Sequence, residues 1–327
     1  MSLDRPWRRF SIFCLLTVLL LALVPIASFV FGTSMDFGGI AERASLTTGV
    51  PWTSNLFDVV RLCLVEPGLW LLLLGSFVPT LAALILMTLG SEPSSWRRFA
   101  RRFRPAGDSP ALKLEHSAVY AVLCFGMIAG LLTVFQLREA ISPGEYELPT
   151  IVSLPNLLMA LLFAALLDQG AVLEEGGWRG YATPLLQDHG VAPLLGAVAV
   201  GVAWAFWHVP RDIIIGLPST LGWSAYLGLY LPSFTLGTIT TSIIAVYFMN
   251  RLGGSLIPAI VVHGLANDAT GFSGLATIEH ALTPFHQITK ALPFVLPCVL
   301  IVLLGGSRLG LPSPPSPPPE PDRAAAP

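Results

Sequence analysis

Two glutamates, an arginine, two histidines and an asparagine stand inside apolar stretches of this chain. Ionisable groups are costly there and become functional candidates by default. Glu174, Glu175 and Arg179 lie in LEEGGWRGY, His208 in WAFWHVP, and His263 with Asn267 in VVHGLAND. Glu175 and Arg179 are four positions apart, so on a helix they share a face and can pair. Each then neutralises the other. Glu174 lies about 100° around the helix from its neighbour and keeps its carboxylate for other work. His263 and Asn267 also share a face and can point at one spot. Such a set suits hydrolysis. A carboxylate can activate a water molecule, and a neutral His or an Asn amide can donate to a developing oxyanion without carrying a charge. Two histidines and a glutamate can also hold zinc with an open position, although the chain has no HExxH. A third use is a proton or ion path, or a pocket for a lipid headgroup or peptide.

The elements that position these groups follow from composition. Of 327 residues, 54% are hydrophobic and 12% charged, against roughly 25% charged in a soluble domain. A soluble chain this apolar would have nothing to cover its surface with. The apolar residues come in runs long enough to cross a bilayer, and in lipid such runs must be helices. Eight spans are expected, at about 10–31, 67–89, 116–136, 157–187, 191–210, 224–249, 255–270 and 290–306. The fold class is therefore an all-α polytopic membrane protein with a polar cavity within the membrane. Arg5, Arg8 and Arg9 before the first run resemble a signal-peptide start. That run is too long for a typical signal core and no A-x-A site closes it, so it is read as a retained span. The expected organisation is an N-terminal part, 1–156, with a basic loop at 90–115. A core at 157–270, an outer loop and last span at 271–308, and a disordered Pro-rich tail at 309–327 follow.

A net charge of −2 gives no electrostatic support for nucleic-acid binding. Cys14, Cys63, Cys124 and Cys298 form no CxxC pair, so neither a disulfide framework nor a zinc knuckle follows. His116, His189, His280 and His286 sit at span ends or in loops and read as solvated interface residues. Trp178, Trp204 and Trp207 are expected to wall the polar site.

Lys and Arg set the orientation. With the N-terminus inside, the inner segments hold Arg5, Arg8, Arg9, Arg97, Arg98, Arg101, Arg102, Arg104, Lys113, Arg251, Arg308 and Arg323. The outer ones hold Arg43, Arg61, Arg138, Arg211 and Lys290. Both termini are then cytoplasmic, in a bacterial cell membrane. Depth supports one site if the fourth helix continues past the glutamates to a turn at Asp188-His189-Gly190. Glu174, His208 and His263 then lie about 20, 27 and 18 Å from the inner turns. The cavity is expected to open toward the cytoplasm.

Taken in order, Glu174-Glu175-Gly-Gly-Trp-Arg179, Trp204-Ala-Phe-Trp-His208 and His263-Gly-Leu-Ala-Asn267 resemble the EExxxR, aromatic-xxx-His and HxxxN motifs of the CPBP family. That family holds the CAAX prenyl proteases and Abi-like bacterial relatives linked to bacteriocin processing and immunity. The resemblance covers about 157–270. Two departures stand out: Trp204 replaces the usual Phe, which keeps an aromatic wall, and Gly176-Gly177 loosens the helix. The resemblance implies an intramembrane glutamic protease. Glu174 would activate water with help from His208, His263 and Asn267 would stabilise the oxyanion, and Glu175 with Arg179 would support the site.

The function expected is an intramembrane endopeptidase without a cofactor. Its partners would be a peptide or protein substrate, lipid-modified or not, and membrane lipids, with no nucleic acid. Two rivals stand beside it: a non-enzymatic binding, immunity or transport protein using the same cavity, and a zinc-dependent hydrolase.

Overall fold

The computed structural model describes residues 4–90, 94–141, 154–272 and 284–311. Among the described residues the secondary structure is helical, apart from one isolated bridge between Asn55 and Asp168. The first span is α1 (Asp4–Leu21) followed directly by α2 (Leu23–Val30). Pro25 lies where its missing N–H would have bonded Leu21, which accounts for the interruption. Two short helices come next, α3 (Phe37–Thr48) and α4 (Leu56–Cys63), capped by Asp36 and Asn55. The hydropathy reading did not expect them. The second span is α5 (Trp70–Leu89), and the basic loop contains α6 (Ser94–Arg101). The third is α7 (Leu114–Ile141).

The expected fourth span, 157–187, is not one α-helix. It divides into α8 (Leu154–Leu167), α9 (Gln169–Gly177), a π-helical turn at Trp178–Ala182, and α10 (Thr183–Gln187). Asp168 makes the break. Its backbone leaves the helical region at φ −58°, ψ 124°, and its side chain accepts from Ala171 N. A short acidic side chain that bonds the backbone locally starts a helix rather than continuing one. The π turn has a different cause. Pro184 has no N–H to give to Gly180, and Thr183 N–H reaches back to Trp178 O. Relaxing to the wider register lets the chain pass the proline without stopping. It then reaches the turn at 188–190, as the depth arithmetic required.

Beyond that turn run α11 (Pro193–Ile214), the short α12 (Leu217–Leu221) and α13 (Trp223–Ala225), and α14 (Leu231–Arg251). The described chain closes with α15 (Ile257–Phe272) and α16 (Pro284–Gly305). Four segments are long and apolar enough to cross a membrane: Arg5–Val30, Pro67–Leu89, Pro193–Ile214 and Trp223–Arg251. Shorter apolar helices accompany them. The protein is an all-α polytopic membrane protein.

Within the bundle α9 packs between α5 and α15, while α11 lies against α14 and α1. Close approach depends on small residues, as is usual where lipid supplies no hydrophobic drive between helices. A Cβ on Gly177 would collide with the backbone of Pro79, and one on Gly264 with the carbonyl of Ala164. The basic segments gather at one end of the bundle. There Arg98 pairs with Asp188 at 3.6 Å, Asp108 N donates to Gly253 O, and Asn250 Nδ2 donates to Leu309 O. Leu309 is fully buried, so the packed chain extends to the start of the Pro-rich segment. The expected disorder beyond residue 311 lies outside the described residues, as do His280 and the side chain of His286.

Candidate active site

Trp204 is the hub of the polar core. Its Nε1–H donates to Glu174 Oε2 at 2.8 Å. Its carbonyl accepts from His208 Nδ1 at 2.8 Å. Its ring meets His263 edge-on at 4.5 Å, and the Arg179 guanidinium lies 4.5 Å from its ring centroid, a favourable cation–π placement. One residue on α11, through its ring and its carbonyl, thus contacts three of the four expected catalytic residues. Because a carbonyl only accepts, His208 must carry its proton on Nδ1, which leaves Nε2 as a bare acceptor. The His208 ring is held between Trp207 and Phe234 at 4.8 and 4.9 Å.

Glu175 has partners separate from those of Glu174. Its Oε1 accepts from Arg179 Nη1 at 2.8 Å and from His263 Nδ1 at 2.8 Å. All three side chains are buried. The expected pair is therefore a triad joining α9, the π turn and α15. His263 and Asn267 do not point at one spot. His263 turns to Glu175, while Asn267 Nδ2 donates to Asp168 Oδ1 at 2.9 Å. Asn267 is exposed where the others are buried.

Asp168 belongs to this core and was missed in the sequence. It is buried, it caps α9, and it binds Asn267. The loop before α4 reaches it too, through the Asn55 bridge and Gln169 N donating to Ser54 O at 2.8 Å. The available signal was an acidic residue inside the 157–187 run. Asp168, Glu174 and Asn267 all lie against Gly170, where a Cβ would come within 3.3, 3.5 and 3.1 Å of their polar atoms. Thr80 on α5 is a second omission. Its hydroxyl donates to Leu173 O and accepts from Gly177 N. It is stitched into the backbone on both sides of the glutamates. Asp212 is a third: fully buried, it accepts from Arg211 at 2.9 Å and from Tyr226 OH at 3.1 Å.

A cavity of about 220 Å³ opens beside this core, lined in part by Trp204, His208, Arg211, Ser233, Thr241 and Asn267. These positions lie from mid-bundle toward the C-terminal end of α11 and the N-terminal end of α14. That half is the one away from the basic end. The cavity so lined extends away from the basic end, toward which the sequence reading expected it to open. The reason is connectivity: α11 runs away from the 188–190 turn, so His208 and Arg211 near its end lie far from that turn. Of the three expected wall tryptophans, Trp204 lines the cavity, Trp207 backs His208, and Trp178 packs behind against Phe13 at 5.3 Å. Among the described residues, no three His, Cys, Asp or Glu side chains are grouped as metal ligands.

Residues 150–268 match the family model described as type II CAAX prenyl endopeptidase Rce1-like. The matched segment contains Glu174, Glu175, Arg179, His208, His263 and Asn267, and the match agrees with the CPBP/CAAX protease family that the three motifs resemble. A search of curated proteins gave no match.

Proposed function

We propose that the protein is an intramembrane endopeptidase that uses Glu174 and His208 to activate water. The observation that carries this reading is the convergence on Trp204. Glu174 from α9 and His263 from α15 touch the Trp204 side chain, and His208 on the same helix bonds its carbonyl, beside a cavity with room for water and a short stretch of peptide.

In this reading Trp204 fixes one oxygen of Glu174, and the other oxygen takes the proton of the attacking water. His208 presents Nε2 to the cavity and shares the proton transfer. The water oxygen bonds the scissile carbonyl carbon, and negative charge moves onto the carbonyl oxygen. Asn267 gives one amide N–H to Asp168 and keeps a second for that oxyanion; His263, whose Nδ1–H goes to Glu175, adds an Nε2–H donor as the imidazolium that Glu175 would balance. Collapse breaks the C–N bond, and the proton taken from water passes to the departing amine. Glu175 and Arg179 touch no substrate. They hold His263 and the π turn in place.

The test compares wild type with Glu174→Gln on membrane proteins extracted from the host, with mass spectrometry reading new peptide termini. Gln keeps the Trp204 hydrogen bond but is not a base, so the variant is expected to fold normally and to yield no new termini. Equal cleavage by both proteins would remove Glu174 from the mechanism. A folded wild type that yields no termini would turn the reading toward binding or transport. Activity is also expected to survive a strong chelator. Loss on chelation, with recovery on adding zinc, would instead support the zinc hydrolase.

A further inference from the structure

At the opposite, basic end a second cavity of about 400 Å³ lies between α1, α5, α6 and α10. Its charged lining is Arg9, Arg98 and Arg102 against one acid, Asp188. His189 adds an imidazole whose Nδ1–H is given to Leu185 O, leaving Nε2 outward. The Arg98–Asp188 pair is half-exposed at 3.6 Å and is a weak use of either charge. Arg102 is partly buried. Burial pushes its guanidinium below the usual range, and Asp188 and Asp108 oppose that shift without reversing it. Among the described residues the lining thus carries three guanidinium groups and one carboxylate.

The other walls are apolar. Ile12, midway along α1, and Leu89, at the end of α5, are 44% and 78% exposed. On α6 and just beyond it, Trp96 and Phe103 are 40% and 44% exposed among arginines, the pattern of a helix lying in a membrane interface. A cationic recess with an apolar exit at a membrane surface matches one class of ligand. We propose that this cavity binds the phosphate headgroup of an anionic phospholipid, whose acyl chains leave over Ile12 and Leu89. The volume suits a headgroup and glycerol, with the chains outside. Gly180 and Tyr181 form part of the wall, and the Phe99 ring sits 2.8 Å from where a Gly180 Cβ would be. The bound lipid therefore braces the π turn that carries Arg179.

The experiment places the full-length protein in nanodiscs of phosphatidylcholine, with or without phosphatidylglycerol, and reads the thermal midpoint. Three proteins are compared: wild type, Arg9→Gln/Arg98→Gln, and Arg97→Gln/Arg101→Gln. The last removes the same charge from a cluster outside the cavity. Phosphatidylglycerol is expected to raise the midpoint of wild type and of the outside variant by about 2–4 °C, and to leave the cavity variant unmoved. A cavity variant that responds like wild type overturns the proposal. So does equal loss in both variants, which would mean diffuse surface attraction. The same rise with inorganic phosphate in phosphatidylcholine discs would mean a soluble-anion site and also overturns it. Native mass spectrometry of wild type in an equal mixture of the two lipids needs no variant. Preferential phosphatidylglycerol adducts support the site, and equal retention refutes it.

Discussion

Glu175 carries its charge in a place where water cannot reach it, so its partners decide whether the core stays folded. Arg179 and His263 share one of its oxygens. Removing Arg179 leaves a buried carboxylate facing a histidine alone, and breaking a buried pair from one side costs about 3–5 kcal/mol. Arg179→Met is therefore expected to depress expression and the thermal midpoint in detergent sharply. Adding Glu175→Gln removes the stranded charge, so the double variant should melt above Arg179→Met alone. If the single variant melts like wild type, the pair is not structural. This pairing was legible in the sequence because four-residue spacing on a helix is a local rule. The bond from Trp204 to Glu174 was not, because it joins residues thirty apart on helices whose rotation no local rule sets. Asp168 was hidden for a related reason. An acid in an apolar run reads as a stray charge until the helix is seen to break there.

At the scale of elements, the question is what holds α9 in register with α5. Gly176-Gly177 reads in the sequence as a loosening of the helix. The structure gives the pair the opposite role, since Pro79 and Thr80 pack where side chains would be. Hydropathy located α5 and α9 but could not say which faces meet, so it could not distinguish a flexible pair from a packing one. Thr80 then fastens the contact, joining Leu173 O to Gly177 N on either side of Glu174 and Glu175. Thr80→Val keeps the shape and removes the hydroxyl, and the two backbone groups lose a partner worth about 1–3 kcal/mol when buried. The expected result is a modest fall in midpoint with at least a tenfold fall in kcat and little change in KM, because Glu174 is re-aimed. Gly177→Ala forces α5 away and should lose both folding yield and activity. Unchanged kcat in a folded Thr80→Val would show that the threonine stabilises α9 without positioning its glutamate.

For the whole molecule, two signals legible in the sequence are set against each other by the fold. Arginine bias marks one end of the bundle as the inner one, and the structure gathers those arginines with the 188–190 turn and Leu309. Glu174, His208 and His263 were expected at similar depth; the fold gathers them around Trp204, and the cavity beside them extends toward the other end. Depth arithmetic counts residues from a turn and carries no information about where neighbouring helices part to leave space. That depends on Tyr230, Ser233 and Phe234 at the start of α14, which the motifs never touched. On the proposed function and with the basic end placed in the cytoplasm by the arginine bias, a substrate would enter from the far side, which would favour exported or surface proteins over cytosolic ones. Thiol labelling tests this. In a chain with Cys14, Cys63, Cys124 and Cys298 replaced, Ser233→Cys should react with a membrane-impermeant maleimide on intact cells. Arg104→Cys should react only after the cells are opened. Labelling of Arg104→Cys alone on intact cells would invert the protein and put the cavity on the cytoplasmic side. Labelling of both only after opening would mean that the cavity is reached from the cytoplasm past the basic end. Either result would move the search for substrates to cytosolic chains that reach the inner membrane surface.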